Sequence, residues 1–112
     1  MQQYATYIMG NSRPTLYTGM TNNLLRRALE HKNDEKEGFT KKYQLHKLLY
    51  FEVGDSPMSA IIREKQIKNM SRKEKLEMIK EENPLFEDLF PKIFPEHSLQ
   101  KNSPFSEKKD PS

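Results

Sequence analysis

The chain has 112 residues, a formal net charge of +3, 34% hydrophobic and 31% charged residues, and no cysteine. That length suits one compact domain with a modest core. The lack of cysteine excludes disulfide scaffolds, thiolate zinc sites, iron–sulfur clusters and thiol nucleophiles. No apolar run reaches the roughly 20 residues of a bilayer span, and MQQYATYIMG has neither a basic n-region nor a long apolar h-region. A cytoplasmic chain with no membrane partner is therefore expected.

Residues 3–9 (QYATYIM) are aromatic and β-branched and predict a strand. Gly10 to Pro14 is turn chemistry, and Thr15 to Met20 predicts a second strand, so the two form a hairpin with a longer loop. Thr21 is placed to cap a helix over residues 22–32, with Leu24, Leu25, Ala28 and Leu29 as its apolar stripe. Residues 33–46 are polar and read as a loop with room for one helical turn. Lys47 to Val53 is a third strand. Ser56-Pro57 opens a helix that reaches about Asn69. Ser71 and Glu74 form a capping box for a helix to about Glu82. Asn83-Pro84 breaks it, with a short helix expected through Phe90.

The composition then changes. Pro91, Pro95, Pro104 and Pro111 stand among Ser, Lys and Asp. Residues 1–90 are assigned to the domain and 91–112 to a tail, disordered from about residue 98. The order β-β-α-β-α-α predicts an α/β fold, a small three-stranded sheet flanked by helices. Charge is uneven: residues 1–80 carry 15 Lys and Arg against 9 Asp and Glu, and residues 81–112 carry 4 against 7. A basic body attracts polyanions, nucleic acid above all, although an ordinary solvated surface gives the same count.

A few side chains could carry chemistry. Tyr7 and Tyr17 lie on neighbouring strands and can meet across the hairpin, or serve only as core tyrosines with hydroxyls at the rim. Arg27 and His31, four apart, share a helix face at the edge of the apolar stripe; the plain alternative is a surface pair. Glu64 has Ala60, Ile61 and Ile67 as helix neighbours. A carboxylate there needs a partner, either an arginine or a divalent metal. His46 and His97 lack partners at ligand spacing, and no glycine-rich phosphate cradle is visible.

Together these residues resemble the GIY-YIG endonuclease superfamily. Ala5-Thr6-Tyr7 stands for its first motif, Tyr17-Thr18-Gly19 for its second, Arg27 for its helix arginine and Glu64 for its metal-binding glutamate. The wording is similar to the small standalone bacterial members, akin to the N-terminal nuclease unit of excision repair. Leu16 to Gly19, Arg26 to His31, Arg63 to Lys68 and Ser71 to Lys75 follow their order, and the likeness spans residues 3–90. Ala5 and Thr6 replace the glycine and isoleucine of the first motif, and Thr18 the middle residue of the second. Met20 stands where some repair members carry lysine. The family's C-terminal asparagine corresponds to Asn69 or Asn83, with Asn83 favoured.

The resemblance implies a metal-dependent endonuclease that nicks DNA with low sequence specificity, in repair or recombination. Glu64 would give one carboxylate to Mg²⁺ (or Mn²⁺), and Arg27 would hold the phosphate. Tyr17 is favoured as the base with Tyr7 orienting, while His31 either receives the proton or is the base itself. Lys41, Lys42, Lys65, Lys68, Arg72 and Lys73 would follow the nucleic-acid backbone. Two alternatives remain at this stage. One is a non-catalytic nucleic-acid-binding module of the same fold; the other is a protein-interaction domain using Leu85 to Phe94, a stretch that equally suits packing on the domain.

Overall fold

A computed structural model of the protein describes residues 3–97. Three strands, β1 (Tyr4–Gly10), β2 (Leu16–Thr21) and β3 (Lys47–Gly54), form an antiparallel sheet in the order β2-β1-β3. Helices accompany them, among the described residues α1 (Leu24–Lys32), α2 (Phe39–Lys42), α3 (Pro57–Lys68), α4 (Arg72–Glu82) and α5 (Phe90–Ile93). The hairpin loop is organised by Asn11, whose Oδ1 accepts from the Arg13 and Thr15 amides at 3.0 and 2.8 Å.

The period-two alternation of β1 divides the core into two layers. Tyr7 and Met9 face α1 and α5, where Ala28, Leu45, Leu48 and Phe90 complete the cluster. Ile8 faces α3 and α4, with Leu49, Tyr50, Ile67 and Ile79. Thr6 also turns to α3, its hydroxyl donating to the Ala60 carbonyl at 3.2 Å. β3 breaks its alternation once. Ile8 pairs with Tyr50 and Met9 with Leu48, so Leu49 is an extra residue without a cross-strand partner.

The capping chemistry of α3 and α4 is as expected. Ser56 accepts from the Ser59 amide, and Ser71 and Glu74 close a reciprocal capping box. At α1 the cap is Asn23, not Thr21, because the Thr21 hydroxyl instead accepts from the Asn23 amide and sets the turn before the helix.

The expected helix over residues 84–90 does not form. Side chains take over the backbone groups that a helix would have used. Asn83, 4% exposed, donates to the Leu49 carbonyl freed by the bulge (3.1 Å) and to the Glu87 carbonyl (2.8 Å), and accepts from the Glu87 amide (3.1 Å). Asp88 Oδ1 accepts from the Leu48 and Phe90 amides, and its other oxygen pairs with Lys32. The helix begins only at Phe90 and crosses the expected domain boundary at residue 90. Phe90 is buried, and Ile93 and Phe94 pack on the same cluster, so the body extends past residue 90. This packing also answers the interaction reading of Leu85 to Phe94: its large rings belong to the core. Residues 98–112, expected as the disordered part of the tail, lie outside the described residues. Among the described residues no helix is long and apolar enough to cross a membrane.

Asn83→Ala would leave the Leu49 and Glu87 carbonyls unpaired. The expected cost is about 3 kcal/mol, read as a lower urea midpoint with an unchanged denaturant slope.

Candidate active site

The pairing of β1 with β2 places Tyr7 opposite Gly19 and Met9 opposite Tyr17. Tyr7 and Tyr17 therefore share one face, with ring centroids 6.4 Å apart. His31 from α1 completes a triangle, 5.6 Å from Tyr7 and 5.7 Å from Tyr17. Tyr7 and His31 are each 1% exposed, whereas Tyr17 is only half-buried. The Tyr7 hydroxyl occupies the space above Gly19, where a Cβ would stand 2.6 Å from its oxygen. Glycine at that position is thus a packing requirement of the site.

A chain of hydrogen bonds runs through the site. Tyr7 Oη lies 2.9 Å from His31 Nε2, and His31 Nδ1 lies 3.1 Å from Thr40 Oγ1. Arg27 stands by the same hydroxyl. Two arrangements satisfy the chain: Tyr7 donates to Nε2 while Nδ1–H donates to Thr40, or Nε2–H donates to Tyr7 while Thr40 donates to Nδ1. Thr40 is buried on α2, a single turn entered through Gly38 at φ 99°, a left-handed conformation that side chains rarely adopt.

Burial dominates the electrostatics. It pushes the Tyr7 hydroxyl up to about 12, with the Arg27 hydrogen bond opposing and the Tyr17 and Glu64 charges adding to the rise. Burial, followed by the Arg27 and Lys36 charges, lowers His31 to about 4, against a smaller opposing pull from Glu30. Tyr7 is therefore protonated and His31 neutral at pH 7. For Arg27, burial works against the charge, but hydrogen bonds to Tyr7 and Glu30 outweigh it and hold the guanidinium above its ordinary value. Its Nε donates to Glu30 Oε1 at 2.9 Å.

Glu64 stands on α3, which packs on β1 and β2, and its charge adds a small part to the rise at Tyr7. Its partner is not an arginine. Lys68, one turn on, lies 3.3 Å away and is half-exposed, so this pair is weak. Among the described residues no group of three or more His, Asp or Glu can hold a metal. A lone carboxylate suits a hard cation that takes its remaining ligands from waters and phosphate oxygens, as Mg²⁺ and Mn²⁺ do. Glu64 fits that role.

The other expected residues are spread over the surface. Lys41 lies 3.5 Å from Glu37, and Lys42 stands over the Tyr43 ring at 5.4 Å. Lys65 is exposed on α3, and Lys73 on α4 stands beside Leu76. Arg72 donates to the Pro14 carbonyl at 2.7 Å and ties α4 to the hairpin loop. Asn83 is outside the chemistry altogether, since its amide is consumed in holding the chain after α4. Thr40, Glu30 and Lys36 were not anticipated. No periodicity marks Thr40, and the polar stretch around it carries no motif; only the short range from His31 hinted at a contact.

The GIY-YIG catalytic domain family matches residues 3–77. The chain belongs to the GIY-YIG family. A UPF0213 protein of Syntrophus aciditrophicus is 45% identical over 86 residues, covering 75% of this chain and 97% of the relative. A UPF0213 protein of Clostridium perfringens is 39% identical over 82 residues, covering 69% and 88%. The solution NMR structure of a UPF0213 protein from Bacillus halodurans superposes with a TM-score of 0.51 at 21% identity, over 80% of this chain and 95% of that one. It shares the fold. Tyr7, Tyr17 and His31 thus come together from β1, β2 and α1.

Two outcomes check this geometry. Gly19→Ala is expected to lose about 1–3 kcal/mol, because the new methyl forces the Tyr7 ring off His31; chemical denaturation measures it. The histidine sets a pH dependence. Its folded value of about 4 lies below the ordinary 6.5, so the unfolded chain takes up the proton first. Its contribution is complete above pH 6.5 and is lost as pH falls toward 4. Wild type should lose about 2–3 kcal/mol more than His31→Gln between pH 7 and 4.5, read from urea melts at both pH values.

Proposed function

We propose that the chain is a metal-dependent endonuclease that hydrolyses phosphodiester bonds of DNA one strand at a time, with little reading of sequence. The observation carrying this reading is the convergence of two tyrosines, a neutral histidine, an arginine and a lone carboxylate from separate elements onto one site, in a chain of the GIY-YIG family. Binding alone does not call for a carboxylate where a phosphate would sit.

Exposure and proton affinity divide the roles. Tyr7 is buried and holds its proton firmly, so it does not deprotonate water at pH 7. His31 is equally buried, and its Nε2 is occupied by the Tyr7 hydroxyl, so it does not touch the water directly. Tyr17 is the tyrosine that reaches solvent. As the phenolate, its own proton first released to solvent, it takes the proton of the attacking water, while Tyr7 and His31 brace the ring beside it. Arg27, about one-fifth exposed, keeps its charge and meets the phosphate with its remaining donors. Glu64 would hold the Mg²⁺ or Mn²⁺, and the bound cation would supply charge neutralisation at the phosphate and the leaving oxygen. Lys68, held only by its weak contact with Glu64, would be released as a further phosphate partner if Glu64 held a cation.

Nicking of supercoiled plasmid in Mg²⁺ tests the proposal, with EDTA and variants in parallel. Wild type should nick, EDTA should abolish nicking, and Glu64→Ala, Arg27→Ala and Tyr17→Phe should each fall by about a hundredfold or more. Glu64→Ala should meanwhile bind the same DNA at least as tightly as wild type, since it removes a negative charge from a phosphate site. Equal nicking by wild type and Glu64→Ala would exclude the mechanism.

A further inference from the structure

Beside the tyrosine–histidine site lies a second feature that the hydrolysis does not use. The β1–β2 loop and the segment after α2 are tied together by Asn11, whose amide donates to the Tyr43 carbonyl at 3.0 Å. Between them is a cleft of about 500 Å³. Arg13, Lys42 and Lys47 line it, and among the described residues no carboxylate does, although His46, which also lines it, is paired with Asp34 at 2.9 Å. Among the described residues no acidic side chain pairs with any of these three cations.

At the rim stand two aromatic rings that the core does not take in. Phe39 is 47% exposed and Tyr43 38% exposed, with centroids 4.7 Å apart. Their exposure is not forced by a shortage of core positions, since the helix turn carrying Phe39 buries Thr40 instead. That same Thr40 holds His31. The exposed rings and the buried end of the site's proton chain are therefore adjacent residues of one helical turn.

Cations that follow a backbone, interleaved with exposed rings, are what an unpaired nucleotide strand requires. Its phosphates meet the cations, and its bases, free of the duplex stack, lie on aromatic faces. A duplex offers phosphates but keeps its base faces inside. We propose that the cleft of Arg13, Lys42 and Lys47 with the Phe39–Tyr43 rim is a platform for an unpaired nucleotide strand, seated next to the scissile phosphate. This deepens the nuclease reading and rests on it only for the position of the scissile bond.

The test measures binding without cleavage. Fluorescence anisotropy in EDTA would compare a labelled strand of about 12 nucleotides as single-stranded DNA, as RNA of the same sequence, and as a DNA duplex. Wild type should bind the single strands about tenfold or more tighter than the duplex. Phe39→Ser and Tyr43→Ala should each weaken single-strand binding about tenfold and leave duplex binding unchanged, while Tyr43→Trp restores it. Lys47→Ala and Arg13→Ala should each lower the salt slope by about 0.7. Circular dichroism melts identify any variant that has merely unfolded, and Phe39→Ser, at an exposed position, decides in that event. Preference for either sugar supports the platform and names its strand. Duplex binding equal to or tighter than single-strand binding, or ring variants that move both substrates alike or neither, would overturn it. Plasmid nicking judges the nuclease reading separately, so failure of one leaves the other standing.

Discussion

Much of this structure follows from burying a hydroxyl. Tyr7 sits in the central strand, and its ring fills the α1 layer of the core, which takes the oxygen out of water. A buried hydroxyl and a buried imidazole are each costly unless paired. Pairing them leaves the second imidazole nitrogen, and Thr40 receives it. This accounts for α2, which at four residues is too short to stand on propensity and has no side-chain cap. Gly38 turns the chain sharply into it, and Thr40 ends the hydrogen-bond chain. It also accounts for Gly19, the one place on β2 where the Tyr7 oxygen can lie against the strand.

The opposite layer sets where Glu64 stands. Arg63 makes a bidentate contact with Glu52 on β3, with nitrogen–oxygen distances of 2.8–3.0 Å, and Tyr50 donates to the same carboxylate. Burial and the bond to Glu52 push the Tyr50 hydroxyl up to about 12, so it remains a donor. Each pair is about one-third exposed, so the contribution to stability is modest. The geometric effect is larger. Arg63 and Glu64 are neighbours on α3, so fixing Arg63 against the sheet fixes the rotation of the helix and hence the direction in which Glu64 points. Ala60 and Ile67, buried on the same helix, lock that rotation from beneath. A structural ion pair on one layer thereby sets the rotation of the helix that carries Glu64.

The sequence disclosed what is local or periodic. Strand alternation, the Ser56 cap and the Ser71–Glu74 capping box each depend on residues within one turn or one strand, and each appeared at its expected place within a residue or two. The meeting of Tyr7 with Tyr17 across the hairpin was legible, because strand spacing carried it. Long-range side-chain bonding was not legible. Asn83 looked like a site residue, yet its environment is decided by a bulge at Leu49, 34 residues earlier. Residues 84–90 have helical spacing of apolar groups, but the Asn83 and Asp88 side chains offered their backbone better partners than a helix did. The order of Phe90 to Phe94 was missed for a related reason: prolines suggested a tail, while Lys32 and Asp88 clamp this segment to α1. His31 read as an edge residue and is buried, because only the fold reveals that α2 covers it.

The same covering divides the site into a dry half and a wet half. Tyr7, His31 and Thr40 are sealed and joined by hydrogen bonds, and the proton affinities of Tyr7 and His31 are displaced far from neutrality in opposite directions. Such a unit resists titration across the physiological range and acts as a rigid wall. Tyr17, Arg27 and Glu64 stand in front of it, partly exposed, with charges of both signs held by weak i,i+3 and i,i+4 partners, Glu30 and Lys68. Those partners keep this half near electrical balance, and they can be exchanged without a reorganised core. Rigidity behind and replaceable ion pairs in front are compatible because α2 separates them: its buried residue belongs to the wall, and its exposed ring faces the solvent.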